Sequence, residues 1–403
     1  MTEPISMTLN GAAVDMCDVE FNLTIMHGRS GVTDPPTASS AQLVIRGSAG
    51  PVMEIADYLT ITSHSEPRFA GKISDIDISF IGTNPPEAIT TVLAMGNLAS
   101  LGLVDVGGSG YAEQTARQRV ETILAASQVT YLNGGDPNIT LKAVAALDAV
   151  STTAWDGISA VATQTGATFF DDPDGRVVFE DYGNRGLTTF EGVWSAQTTT
   201  WAATPGDWDS FPTETTSTTL ESCGVVFTPT WSKTLEPLIN DVTVGYGTEL
   251  TIQQTDSASI TAYGRREYLL NTEIKTLDDA TTRAANIITA QANPLWNLGQ
   301  ISILVHELDA TQTTAVMKLI SGSLVIVRDL PAMGPYPQYE GIVEGWSDSY
   351  DAGNHTLTLS ISDPRFSYQT LKWVDVLPAL TWAEVDAAAQ WFEIVSNNDL
   401  VGA

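Results

Sequence analysis

Apolar and polar residues alternate along most of the chain, and helical spacing interrupts that alternation in a few places only. Residues 1–80 read as strands: Ile5–Leu9, Val14–Met26, Ala41–Ile45, Val52–Thr62 and Arg68–Phe80 are β-rich runs between clusters of Gly, Pro, Asn and Ser. In the last run Ile73, Ile76, Ile78 and Phe80 alternate with Ser74, Asp75, Asp77 and Ser79, with one step out of phase near Asp75. A slip in a period of two predicts a β-bulge, common where barrel strands bend. Short strands without helices predict a small barrel or sandwich over residues 1–95.

From Val106-Gly-Gly-Ser-Gly110 the period changes. Ala112, Ala116, Val120, Ile123 and Leu124 share one helical face, with Glu113 in the expected first turn. Asn133-Gly-Gly-Asp-Pro137 reads as a loop, and a weaker helix is expected around Leu141–Ala149. The most legible unit runs from Trp155 to Arg185. Thr153 and Asp156 predict a helix start, Trp155, Ile158 and Val161 follow at helical spacing, and Gly166 predicts the stop. Asp172-Pro-Asp-Gly175 then predicts a turn between the strands Ala167–Phe170 and Arg176–Glu180. Residues 96–185 are therefore expected to form an α/β domain.

Residues 186–235 are rich in Thr and Trp and carry no clear period, so a connection with short hidden strands is expected. A second α/β domain is expected over 236–299, with strands at Ile239–Tyr246 and Thr248–Gln253. Its helix is signalled by Thr276 with Asp279, the Ala280, Ala284, Ile287, Ile288 stripe and the stop at Pro294. Residues 300–366 read as a second barrel, with strands at Ile301–Val305, Val316–Ile320, Leu324–Arg328, Glu340–Asp348 and His355–Ser362. In residues 367–403, Trp373-Val-Asp-Val, Trp382-Ala-Glu-Val and Trp391-Phe-Glu-Ile recur at a spacing of nine. Three copies are too short to bury their own aromatic faces, so Trp373, Trp382 and Trp391 are expected to pack on other protein surface; a C-terminal helix capped by Thr381 and Glu384 is the alternative.

Several of these phrases resemble the tail hub proteins of bacteriophages and contractile injection machines. His27-Gly-Arg-Ser-Gly-Val-Thr, Ala41-Gln-Leu-Val-Ile and Arg68-Phe-Ala-Gly-Lys-Ile-Ser-Asp-Ile are similar to the opening barrel of minor tail hub proteins in phages of Gram-positive hosts. Thr165-Gly-Ala-Thr-Phe-Phe with its Asp-Pro-Asp-Gly turn is similar to the middle of such proteins. Asn240-Asp-Val-Thr-Val, then Asp256 to Gly264 and the helix after Thr276, is similar to their later α/β domain. The resemblance spans roughly residues 1–370. It implies an α+β, predominantly β fold, in which two small ring-forming β-barrels accompany two α/β domains.

Charge narrows the partners. Against 18 Lys and Arg stand 48 Asp and Glu, a formal net charge of −30. Nucleic-acid affinity rests on cations that neutralise phosphates, so sequence-independent binding to DNA is disfavoured, as is an anionic membrane surface. The acidity fits either a channel that DNA must leave freely or a salty habitat. Cys17 and Cys223 are the only cysteines and form no C-x-x-C pair, so buried thiols rather than a disulfide framework are expected. The start, MTEPISMTLNG, has neither the basic nor the apolar region of a signal peptide, and no run approaches the roughly 18–20 apolar residues of a membrane span.

Candidate chemistry is sparse. His27, His64, His306 and His355 are scattered, with no second ligand at metal spacing. In an EF-hand register with Gly175 at the sixth position, Phe170 would occupy the first, so Asp171 to Gly175 reads as a turn rather than a calcium loop. With 48 carboxylates some pairs must lie close in any fold, and no pattern singles out a catalytic one. No catalytic, metal or cofactor residues are expected. The resemblance implies a structural virion protein assembled in the host cytoplasm: a homotrimeric tail-tip or baseplate hub, adapting a sixfold tail tube to threefold tip components and lining the DNA exit channel. It also implies the partners, namely a distal tail protein and the tube above, a fibre, spike or other tip protein below, and a tape-measure protein. DNA would pass without specific binding. The alternative is an acidic extracellular carbohydrate-binding or cell-wall hydrolase protein whose many Trp contact glycans.

Overall fold

The computed structural model describes residues 5–14, 20–46, 52–82, 87–133, 143–181, 185, 218–221, 230–328, 330, 334–336, 339–351 and 354–367. The strand-rich start forms β1 (Ile5–Leu9), β2 (Ala12–Val14), β3 (Glu20–Gly28), β4 (Ser40–Arg46), β5 (Tyr58–Ser63), β6 (Glu66–Ile81) and β7 (Glu87–Gly96). They pair antiparallel in the order β2-β1-β5-β6-β7-β4-β3. The period of two does the sorting: β4 buries Ala41, Leu43 and Ile45 and turns Gln42 and Arg46 to solvent. The expected bulge in β6 lies between Ile73 and Asp75, where the register against β7 shifts. Strand β7 was not expected, because its apolar residues Ile89, Val92, Leu93 and Met95 fall on both faces.

The later strands Gln300–Leu304, Leu324–Arg328, Tyr339–Asp351 and Asn354–Ser362 form a second antiparallel unit. Val316–Ile320, expected as a strand, is not one: helix α5 (Ala310–Met317) takes its first half. Asp309 and Gln312 form a full capping box at its start, with Asp309 Oδ1 accepting from the backbone N–H of Thr311 and Gln312 at 2.8 Å each.

The two units are continuous. The strand Tyr339–Asp351 pairs with Leu324–Arg328 at its start, then bulges between Val343 and Gly345. Beyond the bulge the same edge pairs antiparallel with β3, from Gly345 opposite Gly28 to Asp351 opposite Asn22. The result is one 12-stranded sheet and one hydrophobic core that runs from Leu23, Ile25 and Leu43 to Trp346, Leu357 and Leu359. Among the described residues neither unit closes on itself through its own strand pairing, because the outer edge of β3 is taken by the other unit.

Two smaller cores flank this sheet. Helices α1 (Ala116–Ser127) and α2 (Ala154–Thr165) pack on a sheet of Ala167–Asp171, Val177–Asp181 and Tyr131–Asn133. Thr153 caps α2, its Oγ1 accepting from Asp156 N–H at 3.1 Å, and Gly166 ends it at φ +73°. Helix α1 starts later than expected, capped by Thr115 with Gln118, so Ala112 and Glu113 precede it. The helix expected at Leu141–Ala149 does not form over the described residues 143–149. Ala143 and Val144 pair instead with Thr115 and Gln114, and Leu147 exchanges backbone hydrogen bonds with Tyr111. The third core lies under α4 (Leu277–Gln291), whose Thr276 cap accepts from Asp279 N–H and whose Ala280, Ala284 and Ile287 face a sheet of three strands. The short helix α3 (Ser257–Tyr263), capped by Asp256, was not expected. In the Thr- and Trp-rich stretch a short strand, Thr218–Glu221, pairs parallel with Leu324–Arg328; residues 186–217 and 222–229 lie outside the described residues.

The junction tolerates no side chain at its crossing point. A Cβ on Gly345 would sit 2.5 Å from the His27 carbonyl oxygen and 2.6 Å from that of Arg29, both backbone atoms that cannot swing away. Gly345→Ala is therefore expected to lower stability by about 2–3 kcal/mol, as overpacking does. Gly108→Ala, where nothing lies within 4 Å, should change it by less than about 0.5 kcal/mol. Urea-unfolding midpoints of the two variants check this, and equal midpoints would mean the two strands do not approach so closely.

Candidate functional site

The bulge that carries the chain across the junction also exposes one residue to the wrong environment. Glu344 is the extra residue between Val343 and Gly345, released from the pleat and turned inward, with 2% of its surface exposed. A lone buried carboxylate would be prohibitive, and two guanidinium groups meet it. Arg185 donates from Nη1 to Oε1 at 2.8 Å and from Nη2 to Oε2 at 2.9 Å. Arg29 donates from Nε to Oε2 at 2.8 Å, and Ser362 Oγ–H donates to Oε1. Burial alone would raise its pKa, but Arg185 and Arg29 outweigh that effect and hold it down at about 2.

Four residues on, inward-facing Asp348 is fully buried between Trp346 and Tyr350. It accepts from Arg68 Nε at 2.8 Å and lies 2.8 Å from His355 Nε2. Burial raises its pKa, but Arg68 and His355 bring it below the usual carboxylate range. The Arg68 guanidinium lies 3.8 Å from the Trp346 ring centre and donates to the Met317 carbonyl. His27 stacks on the same Trp346 at 4.2 Å, with Nε2 2.8 Å from the Arg68 carbonyl. Burial and then Arg68 push its pKa down to about 4, so it is neutral.

The middle unit is fastened to the same place. Asp171, at the end of its strand, accepts from Ser39 N–H at 3.1 Å, Ser39 Oγ–H at 2.8 Å and Leu98 N–H at 2.9 Å. Burial pushes its pKa up to about 6 against those hydrogen bonds. The expected turn follows: Asp172 Oδ1 accepts from Arg176 N–H at 2.7 Å and Gly175 N–H donates to the Asp172 carbonyl. Asn97 donates to the Gly175 carbonyl, which seats the turn on the first unit.

This arrangement ties three parts of the chain together. Among the described residues no group of three or more His, Cys, Asp or Glu is placed to hold a metal ion. The histidines are less scattered than the sequence implies, since His64 stacks on His355 at 6.1 Å and His355 on Tyr350 at 4.0 Å. The expected interface residues Trp373, Trp382 and Trp391 lie outside the described residues. None of the junction charges was expected. One signal was available: Asp348 occupies the apolar phase between Trp346 and Tyr350.

The pH dependence of folding has a worked sign. His27, ordinarily near 6.5 and lowered to about 4, is protonated first in the unfolded chain, so it removes stability as pH falls from 6.5 to 4. Asp171, raised from 3.8 to about 6, is protonated first in the folded chain and adds stability as pH falls from 6 to 3.8. The two nearly cancel, and wild-type stability should stay level there. It should then drop steeply as Glu344 is protonated between 4.5 and 2, together with Asp348. His27→Gln should expose the Asp171 contribution, so stability of the variant rises on acidification from pH 6 to 4 by up to about 1.4 kcal/mol per unit. Urea midpoints at stepped pH test this; an unchanged profile in the variant would refute it.

No family model matches the chain, and no curated protein matches it in sequence. Solved structures do. The 43 kDa tail protein of prophage MuSo2 from Shewanella oneidensis is 14% identical, with 91% of this chain and 100% of that one covered at a TM-score of 0.62. A tail protein from Neisseria meningitidis is 13% identical, covering 90% and 98% at 0.60. A prophage tail protein from Listeria monocytogenes is 9% identical, covering 89% and 94% at 0.54. At such identities the similarity is one of fold, and it extends over nearly the whole of each chain. The chain has the fold of bacteriophage tail proteins, as its sequence motifs imply.

Proposed function

We propose that this chain is a structural virion protein, not an enzyme: a homotrimeric tail-tip or baseplate hub that adapts the sixfold tail tube to threefold tip components. The observation that carries the proposal is the edge-to-edge joining of two strand units of one chain in a single sheet along Tyr339–Asp351. Three copies of such a chain offer six strand units around an axis, which matches a hexameric tube, while the chains themselves keep threefold symmetry. The buried Glu344 and Asp348 clusters support it, since a ring needs its two units held at one fixed angle.

The same assembly would line the DNA exit channel. The solvent face of the continuous sheet presents Thr24, Gln42, Ser349, Asp77 and Asp351, with Arg46 and Met26 among them, a mostly polar surface of hydroxyls, amides and carboxylates. Like charge keeps phosphates off such a wall. The hub would contact the distal tail protein and tube above, a fibre, spike or other tip protein below, and the tape-measure protein. The fold lends nothing to the carbohydrate-binding or hydrolase alternative.

A virion map should show three copies around the tail axis, with the two strand units in equivalent places of one ring and an acidic or neutral lumen. Six copies, a unit lying off the ring or a basic lumen would end this proposal. Trp382 and Trp391 are proposed as anchors on a neighbouring protein. Replacing both with Ala should leave the isolated fold intact and weaken assembly, whereas lost folding cooperativity would place them in an intrachain core.

A further inference from the structure

The two strand units repeat one another, and the repeat leaves one edge unmatched. In the first, β4 pairs β7, β7 pairs β6, and β6 pairs β5 up to Lys72 before bulging at Ile73/Asp75. In the second, Gln300–Leu304 pairs Asn354–Ser362, which pairs Tyr339–Asp351, which pairs Leu324–Arg328 up to Ile342 before bulging at Val343/Gly345. The registers agree beyond the bulge: Asp75 to Ile81 run opposite Leu93 to Glu87 as Gly345 to Asp351 run opposite Ser360 to Asn354. Residue by residue, Ile76, Ile78 and Phe80 therefore stand where Trp346, Asp348 and Tyr350 stand in the other unit.

The environments differ. Beyond its bulge, Tyr339–Asp351 is covered by β3 of the first unit, and Tyr350 is 5% exposed. Beyond its own bulge, β6 pairs only with β7 among the described residues. Ile78 is 60% and Phe80 69% exposed, with Ile81 at 47% beside them. The stretch Asp75–Ile81 thus presents unpaired backbone groups beside large apolar side chains, with neither Lys nor Pro to blunt the edge.

We infer that the Asp75–Ile81 edge of β6 is a docking strand for a second copy of this chain, which lays the far end of its second unit along it as β3 lies along Gly345–Asp351. The contact is head-to-tail, because the edge of a first unit receives a second unit; such contacts close into a ring where the rotation between copies permits, and a threefold rotation does so. Main-chain hydrogen bonds would supply the register, and Phe80 with Ile78 the apolar anchor that Tyr350 provides inside the chain. The inference rests on the proposed hub reading for the number of copies, but the edge itself is identified by the internal repeat.

The experiment is sedimentation velocity on the full chain over a concentration series, with amide hydrogen exchange on the same samples. The double variant Ile78→Lys/Phe80→Lys is compared with Met26→Lys, an exposed apolar position on the face of β3 rather than on that edge. Wild type and Met26→Lys should form trimers in which the amides of residues 75–81 exchange slowly. The double variant should keep its melting transition but need about 100-fold or more protein to assemble, with those amides exchanging fast. Assembly of the double variant as tight as wild type overturns the edge assignment and leaves the hub reading standing. A wild-type dimer that the double variant dissolves supports the edge and ends the trimer. A wild type that stays monomeric with fast exchange at residues 75–81 overturns both.

Discussion

Everything in this molecule turns on the enclosure of one carboxylate. Glu344 is buried at the crossing between two strand units, and it is acceptable there because Arg185 and Arg29 reach it from different parts of the chain. Arg185 follows the hairpin of the middle unit, Arg29 follows β3 of the first unit, and Glu344 sits in the second. The cluster is complete only when all three are in place. Removing one partner from a buried pair costs about 3–5 kcal/mol, so a partly assembled junction is strongly disfavoured.

Replacing a buried ion pair by apolar residues of the same shape is often neutral or stabilising, so stability alone does not account for these charges. What they add here is register. A one-residue slip of Tyr339–Asp351 against β3 would turn Trp346, Asp348 and Tyr350 outward and leave Arg68 buried without its carboxylate. Apolar residues tolerate such a slip far better than a bidentate ion pair does. The glycines at the crossing act in the same sense, since Gly28 at φ +71° and Gly345 admit the facing backbone only in one alignment.

The sequence was most legible where structure is local. The bulge at Asp75 showed as a slipped period, and the caps at Thr153 and Thr276 are formed by residues three positions apart. The same rule applies to α5, where Asp309 and Gln312 form a capping box, but the β-branched Val316 and Ile320 beyond it carry the opposite, strand-like signal. The segment after Ala143 departs from its helical spacing because its backbone is satisfied by Thr115, Gln114 and Tyr111 rather than by its own next turn. The junction was out of reach for a different reason. Arg29, Arg185 and Glu344 lie far apart in the chain, and, unlike Asp348 in the apolar phase of its strand, none of them carries a local sign that it will be buried.

Among the described residues the interior holds four arginines, Arg29, Arg68, Arg119 and Arg185, and five carboxylates, Asp171, Asp172, Asp241, Glu344 and Asp348. The buried charges therefore nearly cancel, and the formal net charge of −30 is carried almost entirely outside the cores. At about 0.15 M salt that sign acts over roughly 8 Å, so a phosphate feels it only when it is close to the wall. In the proposed hub, such a wall would keep DNA from sticking in passage without holding it back from a distance, so DNA would have to be stopped before ejection by something filling the channel and not by charge.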